Sequence, residues 1–446
     1  SRIIHNLIGA MRGSIAGKPA AVAYTQAQGI FLDESASGVL VEGNTVTEAD
    51  SGIHVHVASR NTLRGNKLYG NRRQQLWLQE TRNREDAQGD LSGNTITGNQ
   101  FAATTPASRS LYLSSTIKTT YRFGSFDANR YLDSVSPTAA IEYAPAIGHN
   151  TYAFARWREA ASPDGTTRNI EPNGSASSQV RMASSIITGA SIVPNGRMSG
   201  SAAGWSTWNL SAPRGSLLRE SCAVGWCGRY LTGGSPGLVS TPNFSIVGGT
   251  WYRLTLDLAT GADKQFVNVV VRRGGGGSNT YERLSDRVTD FTANRSWTRY
   301  SVVFKATKTV NVNDPATQDL GARIDLQGIE PGTTVMVANV ELVPVLPTEA
   351  LSRTALLSNP GRDPVQVACP LAGAEAPLCG SFLRLTDLAP VSWPQLLQGR
   401  STEIIYTRDS TLVDSDGDGI VDSQDRCAAS PAGRAVDSAG CAIGQG

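Results

Sequence analysis

Gly52-Ile53-His54-Val55-His56 is the clearest of four short segments of this chain that share one pattern. Aliphatic residues alternate with polar or aromatic ones, which is the two-residue period of a β-strand with one buried face. The shared alternation predicts four strands stacked in register, each with its aliphatic side chains in a core. The other three segments are Gly29-Ile30-Phe31-Leu32-Asp33, Gln75-Leu76-Trp77-Leu78-Gln79 and Ser110-Leu111-Tyr112-Leu113-Ser114.

The residues between the aliphatic positions are expected to be exposed, and in register they form two columns. An aromatic column beside a polar column suits a surface that binds a polar chain with flat apolar faces, namely a polysaccharide. The predicted substrate-binding residues of this surface are Phe31, His54, Trp77, Gln79 and Tyr112. The aromatic column reads Phe31, His54, Trp77 and Tyr112, and the polar column reads Asp33, His56, Gln79 and Ser114.

Asparagine recurs at a matching phase in a second set of segments, and the best-matched turns, such as those of Asn44 and Asn66, are 22 or 23 residues apart. This period predicts a solenoid, because a coil of that length cannot bury its apolar face until the next coil stacks on it. Inward asparagines could then hydrogen-bond in a ladder along the stack. A leucine-rich repeat has a similar period, but its consensus and its helical apolar stripe are missing. The aligned asparagines are Asn6, Asn44, Asn66, Asn94 and Asn129.

We predict an all-β chain whose first domain, residues 1–165, is a right-handed parallel β-helix. The segments GIFLDESASGVLVEGNTV (29–46) and SGIHVHVASRNTLRGNKLYGN (51–71) resemble the pectate-lyase-like β-helix repeat proteins. The resemblance implies the fold but no single reaction, because this architecture carries lyases, glycosidases, epimerases and inert adhesins. The N-terminus lacks the features of a signal peptide, so we expect Ser1 to be a truncation point that leaves the C-terminal part of the β-helix.

Asp33, His56 and Glu80 are the predicted catalytic residues. Neighbouring rungs of a parallel sheet lie about 4.8 Å apart, so Asp33 and Glu80, two rungs apart, would be separated by about 9 to 10 Å. That separation is near the upper end of the range for an inverting glycosidase. His56, between them, would transfer protons or bind a sugar hydroxyl. A β-eliminating lyase would instead need a basic residue at the α-proton of the sugar. The candidates for that role are Arg64, Arg72 and Arg73.

The overall charge of the chain is close to neutral, with 40 lysines and arginines against 38 acidic residues. A net charge of +2 argues against binding of nucleic acid or of a membrane surface through bulk charge. No apolar run is long enough to predict a membrane span. The 46 glycines and the low share of charged residues, 17%, favour strands and turns over helices.

The six cysteines fall into three close pairs, and local pairing is the simplest connectivity that six cysteines allow. Neither a Cys-x-x-Cys motif nor a nearby histidine supports a zinc site. Three disulfides would place the protein outside the reducing cytosol, so we expect an exported protein, extracellular or on the cell surface. The segment Tyr152-Ala153-Phe154-Ala155-Arg156-Trp157 resembles the one that closes β-helix domains in bacterial carbohydrate-active proteins, which implies a bacterial source. The predicted disulfides are Cys222–Cys227, Cys369–Cys379 and Cys427–Cys441.

The solenoid period is absent from residues 180–346, where short strand-like segments are bounded by Gly, Pro and Asn turns. This spacing predicts a β-sandwich of jelly-roll type. The segments Val193-Pro194-Asn195-Gly196, Trp251-Tyr252-Arg253-Leu254 and Val337-Ala338-Asn339-Val340-Glu341-Leu342 resemble carbohydrate-binding modules of the family 4 and 9 type. Aromatic rings stack on sugars in such modules, and the resemblance implies Trp208 and Trp226 as the candidates here. Trp205, Trp251 and Trp297 have apolar neighbours and are assigned to the core.

Residues 412–446 contain the most specific motif of the chain. Carboxylates occupy positions 1, 3, 5, 9 and 12 of a loop that has glycine at position 6 and a backbone carbonyl at position 7, which is the ligand pattern of a Ca²⁺ loop. EF-hand helices do not flank the loop, and the segment resembles a thrombospondin type 3 repeat. Before this repeat, residues 347–411 are predicted as a small disulfide-containing β segment. The predicted Ca²⁺ ligands are Asp414, Asp416, Asp418, Ile420 through its carbonyl, Asp422 and Asp425.

These observations together predict an exported, calcium-stabilised protein that binds polysaccharide. Its β-helix is expected to cleave the glycan, with a glycoside hydrolase favoured over a polysaccharide lyase. The alternative is a non-catalytic surface, matrix or filament-forming protein with an adhesive or structural role, which would self-associate or attach to a cell surface. The lack of an unambiguous acid/base pair favours this alternative. A nucleic-acid partner and a membrane span are not expected.

Overall fold

The structure of the protein is a computed structural model, and it is an all-β molecule of two compact units. The first unit combines residues 1–183 with 348–409, and the second combines 184–347 with 410–446. Among the described residues there is no α-helix, and hence no helix that could cross a lipid bilayer. The structure describes residues 1–10, 27–81, 91–105, 108–115, 123–133, 139–143, 148–152, 178–181, 185–208, 217–232, 237–263, 265–275, 281–285, 288–316, 318–328, 332–347, 354–372, 376, 379–407, 427 and 441.

In the first unit the chain winds through three parallel sheets in turn, which makes a parallel β-helix. The first sheet contains β1 (Arg2–Ile4), β4 (Leu40–Glu42), β7 (Thr62–Arg64), β10 (Asn94–Thr97) and β13 (Gly124–Asp127). The second sheet contains β2 (Leu7–Ile8), β5 (Thr45–Thr47), β8 (Lys67–Tyr69), β11 (Gln100–Ala103), β14 (Arg130–Asp133) and β17 (Ser178–Arg181). The third sheet contains β3 (Gln28–Leu32), β6 (Ser51–His56), β9 (Gln74–Glu80), β12 (Arg109–Ser115) and β15 (Ala139–Tyr143), which pairs with the antiparallel β16 (Gly148–Tyr152).

The predicted stack of four segments is confirmed in the third sheet. His54 lies opposite Phe31 on one side and opposite Trp77 on the other, and Trp77 lies opposite Tyr112. The aliphatic residues of the same strands share this register and are buried in one continuous core. The two-residue alternation therefore separates the core face of the sheet from its outer face. The buried aliphatic residues are Ile30, Leu32, Ile53, Val55, Leu76, Leu78, Leu111 and Leu113.

Asparagine side chains form a ladder at the corner between the first and second sheets. The backbone N–H and the Nδ2 of Asn44 both donate to Oδ1 of Asn66, each at 3.0 Å, and the same pattern joins the other rungs. Gly43 and Gly65 precede these asparagines with φ at +63°, a left-handed conformation that glycine adopts readily. The ladder runs through Asn6, Asn44, Asn66, Asn99 and Asn129.

The structure corrects one rung of the predicted ladder, because Asn99 and not Asn94 follows Asn66. The Nδ2 of Asn66 donates to Oδ1 of Asn99 at 2.9 Å, and Ile96 pairs with Leu63 in the parallel register. Asn94 instead accepts a hydrogen bond from the backbone N–H of Asn61 at another corner. The dipeptide Gly-Asn occurs at both 93–94 and 98–99, so the motif alone could not distinguish the two registers.

Residues 354–407 pack against the outer face of the second sheet. Ile404 and Tyr406 contact Ala102 and Leu132 in a shared apolar cluster. The sequence predicted residues 347–411 as a segment of their own, whereas the structure packs residues 354–407 on the β-helix. They pack there because the second sheet carries apolar residues on its outer face, and these must be covered. The strands here are β29 (Thr354–Asn359), β30 (Val365–Val367), β31 (Phe382–Arg384), β32 (Gln395–Leu397) and β33 (Ser401–Thr407).

The second unit contains a sandwich of two antiparallel sheets. Its strands are β18 (Ser185–Ile187), β19 (Ser206–Trp208), β20 (Leu218–Cys222), β21 (Gly225–Leu231), β22 (Leu238–Ser240), β23 (Trp251–Thr260), β24 (Gln265–Arg273), β25 (Val288–Ala293), β26 (Thr298–Lys305), β27 (Ala322–Gly328) and β28 (Thr334–Pro347). One sheet has the order β19-β22-β27-β24-β25, and the other has the order β20-β21-β28-β23-β26 with β18 paired to β28. Alternating residues such as Leu254 and Leu256 of one sheet pack with Val267 and Val269 of the other in the core of the sandwich.

All six cysteines form the three predicted disulfides, Cys222–Cys227, Cys369–Cys379 and Cys427–Cys441. The prediction of local pairing is therefore confirmed. The six predicted Ca²⁺ ligands lie outside the described residues: Asp414, Asp416, Asp418, Ile420, Asp422 and Asp425.

Candidate functional site

Four aromatic rings stack along the outer face of the third sheet, one from each successive strand. The ring of His54 lies 3.9 Å from that of Trp77 and is nearly parallel to it, at 6°. The ring of Phe31 lies 4.8 Å from His54, and the ring of Tyr112 lies 5.6 Å from Trp77. The spacing follows from the parallel register, since strands about 4.8 Å apart bring aligned rings into contact. We call these four side chains, Phe31, His54, Trp77 and Tyr112, the ring ladder.

The exposure of the ring ladder differs from the prediction. Phe31 is 44% exposed and Tyr112 is partly exposed, but His54 and Trp77 are only 3% and 8% exposed. Each inner ring is covered on both faces by the rings of the neighbouring rungs, and simple alternation along one strand does not predict this. A ligand can therefore reach Phe31 and Tyr112, while His54 and Trp77 support them from within.

The polar column lies beside the ring ladder and is tied to it by hydrogen bonds. His54 Nε2 donates to Oε1 of Gln79 at 3.0 Å, and Trp77 Nε1 donates to Oγ of Ser114 at 3.0 Å. Each inner ring is thus fixed by a polar side chain from the column. His54 Nδ1 is buried and, among the described residues, has no hydrogen-bond partner.

Burial lowers the pKa of His54 to about 3, and the neighbouring His56 adds to the effect. The shift follows because removal from water penalises the charged imidazolium. His54 is therefore neutral at physiological pH. A neutral, flat ring between Phe31 and Trp77 completes an uncharged stack.

His56 stands at the centre of a short hydrogen-bonded chain at the edge of the ring ladder. Its Nδ1 lies 2.8 Å from Oδ1 of Asp33, and its Nε2 lies 2.8 Å from Oγ1 of Thr81. A carboxylate can only accept, so Nδ1 carries the proton, and in the neutral imidazole Nε2 accepts from the hydroxyl of Thr81. The lone pair of Nε2 is thus occupied by the Thr81 hydroxyl, and Nδ1 on the other side of the ring is held by the carboxylate of Asp33.

The carboxylate of Asp33 is held in its charged form. Partial burial alone would raise the pKa of Asp33, but the hydrogen bond from His56 and the backbone N–H of Glu34 outweigh it and the pKa lies below its usual value. Asp33 remains an anion near neutral pH, so it accepts the Nδ1 proton of His56 and orients the imidazole.

Glu80 does not join Asp33 and His56 on this face, which corrects the predicted catalytic pair. Its side chain is buried and has the same strand parity as Leu76 and Leu78, whose side chains lie in the core. Its Oε2 accepts a hydrogen bond from Oγ of Ser115 at 3.4 Å. The inward and outward alternation of side chains along β9 extends past Gln79, where the clear sequence pattern ends. Glu80 is the next residue and therefore points inward.

Thr81 is a site residue that the sequence reasoning missed. It has the parity of Trp77 and Gln79 and follows β9 directly, so its hydroxyl lies on the outer face next to His56. Extending the alternation by one step could have identified it.

The second unit carries two exposed tryptophans, and both are the predicted ones. Trp208 is 63% exposed at the end of β19, and Trp226 is 40% exposed beside the Cys222–Cys227 disulfide. The guanidinium of Arg219 lies 3.4 Å from the ring centroid of Trp226 and covers one face of that ring. Trp226 therefore offers one free face to a ligand, and Trp208 is the more accessible of the two.

Comparison with known families and structures gives similarity to several parts of the chain. The model of the family described as periplasmic copper-binding protein (NosD) matches residues 12–131, a span within the β-helix. The chain has no match among curated proteins.

Solved structures similar to the chain fall into two groups. The N-terminal cellulose-binding domain of β-1,4-glucanase C from Cellulomonas fimi is 20% identical, and the match covers 34% of this chain and 96% of that chain with a TM-score of 0.28. The family 11 carbohydrate-binding module from Clostridium thermocellum is 12% identical, with coverage of 37% and 99% and a TM-score of 0.24. The enzymatically active domain of tailspike protein 4 from bacteriophage CBA120 is 8% identical, with coverage of 77% and 44% and a TM-score of 0.27.

Proposed function

We propose that this protein is an exported polysaccharide-binding protein whose β-helix binds a glycan chain on the outer face of the third sheet. The observation that carries the proposal is the ring ladder, which ends in the exposed Phe31 next to the Asp33–His56 pair. Sugar rings have apolar faces and a rim of hydroxyls, so a flat aromatic surface beside fixed hydrogen-bonding groups suits them. Three disulfides support export to an oxidising compartment.

Trp208 supports a second sugar contact on the β-sandwich, because an indole left mostly in solvent is available to stack on a ligand. Two separate contacts on one chain would raise the overall affinity for a long polymer above that of either contact alone. Short oligosaccharides would engage one contact at a time.

We expect Phe31→Ala and Trp208→Ala each to weaken binding of a polysaccharide by about tenfold, because each removes an apolar surface that the sugar would cover. Isothermal titration of the full chain against neutral and acidic glycans measures this. Leu396→Ala is the matched control, since Leu396 is an exposed apolar residue remote in sequence from both contacts. Unchanged affinity in both aromatic variants would contradict the proposal.

Cleavage of the bound glycan is the second candidate function, and the Asp33–His56 hydrogen bond favours it. The register places Glu142 in the polar column, but four rungs from Asp33, which is about 19 Å and too far for a carboxylate pair. Glu80, which is closer along the stack, is buried. Hydrolysis usually needs two carboxylates, whereas β-elimination needs one base at the proton next to the sugar carboxylate. We therefore propose elimination ahead of hydrolysis, which reverses the order that the sequence alone favoured. His56 Nε2 would take the proton next to the sugar carboxylate, the electrons of that C–H bond would form a C=C bond, and the glycosidic C–O bond would break with its oxygen protonated by water. The non-catalytic surface protein remains the alternative.

We also propose that the C-terminal segment binds Ca²⁺ through the acidic loop at 414–425. Hard carboxylate and carbonyl oxygens around a glycine turn fit this ion, and the Cys427–Cys441 disulfide closes the segment that follows the loop. When bound, the ion would offset two of the five negative charges of the loop and so reduce the repulsion among its carboxylates.

We expect the double variant Asp416→Ala, Asp418→Ala to lose the Ca²⁺-dependent rise in melting temperature, because each aspartate supplies a ligand oxygen. Differential scanning calorimetry of the full chain with Ca²⁺ and with a chelator measures the shift. Asp363→Ala, an exposed aspartate outside the loop, is the control. A shift of the same size in the double variant would overturn the assignment.

A further inference from the structure

A cleft of about 470 Å³ lies in the first unit between the β-helix corners and the turns of residues 359–402. Its β-helix wall consists of the corners that follow β1, β4 and β7, and its other wall consists of turns next to β29 and β33. The residues of the ring ladder do not line it. The volume is in the range of about 300 to 1,000 Å³ that is typical of small-ligand sites.

The side chains that line the cleft are basic or neutral. Of the residues that the structure describes, His5, Lys67 and Arg400 are the ionisable ones in the lining, and none of the lining residues is an aspartate or glutamate. Lys67 donates to the backbone carbonyl of Thr402 and lies 3.4 Å from the carboxylate of Glu403, so its charge is partly balanced. The guanidinium of Arg400 is exposed and pairs with no carboxylate among the described residues.

His5 and Arg400 are both held in unfavourable backbone conformations at the rim of the cleft. Their φ angles are +54° and +56°, in the left-handed region that costs about 1 kcal/mol or more for a residue with a Cβ. His5 also packs tightly on Gly43, where an added Cβ would lie 2.6 Å from Nδ1 of the imidazole. His5 adopts it at the corner before a ladder asparagine, as Gly43 and Gly65 do, and Arg400 adopts it in the turn before β33, so both conformations belong to the turns that form the cleft.

The turn that presents Arg400 is rigid. The Nδ2 of the buried Asn359 donates to the carbonyls of Asp363, Leu397 and Gln398, and the backbone N–H of Arg400 donates to the carbonyl of Gly361. These bonds join the two turns of residues 359–363 and 397–401. The backbone at Arg400 is thus fixed before a ligand binds. Less conformational entropy is then lost when the Arg400 side chain pairs with the ligand.

We propose that this cleft binds an acidic sugar unit, with the carboxylate or sulfate of the sugar paired to the guanidinium of Arg400 and the imidazole of His5 nearby. Arginine suits this role because its planar guanidinium can donate two parallel hydrogen bonds to an oxyanion. The inference rests on the proposed polysaccharide binding and specifies an anionic polymer. The cleft and the ring ladder are separate contacts on the same unit.

The test is isothermal titration of the full chain with trigalacturonate and with its methyl ester, which lacks the charge. Arg400→Gly is the informative variant, because glycine adopts the left-handed conformation without strain. We expect it to bind trigalacturonate at least about tenfold more weakly, since a charge-assisted hydrogen bond is lost, while its melting temperature stays equal or rises. Arg400→Gln, which keeps a side chain but not the charge, should show the same loss.

Arg362→Ala is the matched control, because Arg362 is an exposed arginine in the adjoining turn that does not line the cleft. Equal losses in Arg362→Ala and Arg400→Gly would overturn the inference, because they would show a bulk charge effect. Equal affinity of the wild type for the acid and the ester would also overturn it. If Arg400→Gly is unaffected while Phe31→Ala weakens binding, the cleft is refuted and the proposed function stands. If only the Arg400 variants weaken binding, the cleft stands and the ring ladder is refuted.

Discussion

Replacing Asn66 with alanine is expected to lower the free energy of unfolding of the first unit by about 3 to 5 kcal/mol. Asn66 is fully buried, and its side chain makes four hydrogen bonds within the asparagine ladder. Oδ1 accepts from the backbone N–H and the Nδ2 of Asn44, and Nδ2 donates to the carbonyl of Val41 and to Oδ1 of Asn99. Alanine leaves the buried backbone N–H of Asn44 without its acceptor and removes one partner each from Nδ2 of Asn44, the carbonyl of Val41 and Oδ1 of Asn99.

Urea unfolding followed by circular dichroism measures the effect, and hydrogen exchange of residues 40–68 assigns it to the first unit. Asn6→Ala is the matched control, because Asn6 lies at the exposed end of the same ladder and donates to Asn44 and to the carbonyl of Ile4. Its loss should cost about 1 kcal/mol, since water can replace its partners. If the two variants cost the same, the interior of the ladder is not a main source of stability.

His56→Gln is expected to reduce elimination of an acidic polysaccharide by at least about 100-fold, because glutamine cannot accept the substrate proton. Asp33→Asn should also lower the rate, since an amide in place of the carboxylate no longer fixes the proton on Nδ1 and leaves Nε2 free to be the protonated nitrogen. Thr81→Val should keep or raise the rate, because the Thr81 hydroxyl occupies the position at His56 Nε2 that a substrate proton would take.

The rate is followed by the ultraviolet absorbance of the unsaturated product, in parallel with new reducing ends. Leu396→Ala controls for general effects of a substitution, and unchanged circular dichroism shows that each variant is folded. Reducing ends without unsaturation would mean hydrolysis and would refute elimination. A wild-type chain that releases no product from acidic polysaccharides would refute cleavage and favour the non-catalytic alternative.

The alternation of aliphatic residues such as Ile53 with residues such as His54 was enough to predict the parallel stack. A shift of the strand pairing by one residue would move the aliphatic side chains out of the core, so the register of the two outer columns is fixed. The same reasoning could not assign Asn99 to the ladder, since residues 93–94 and 98–99 carry the same dipeptide. Only the pairing of Ile96 with Leu63 distinguishes them.

The candidate site was predictable in its membership but not in its exposure. The sequence places Asp33, His56 and the four rings on one face, but it does not show that His54 and Trp77 cover each other. Burial of this kind depends on contacts between coils and not on the pattern within a strand. For the same reason Glu80 and Thr81, at the end of β9, could be assigned to opposite faces only from the structure.

The packing of residues 354–407 on the second sheet has a consequence for the order in which the protein can form. The β-helix is synthesised first, then the whole sandwich, and only then the strands that contribute Ile404 and Tyr406. During translation, the outer face around Ala102 and Leu132 stays uncovered until the ribosome has passed the inserted sandwich. The last strands of the first unit are therefore translated only after the sandwich, which belongs to the second unit. The first unit can complete its folding only once that other domain has been synthesised.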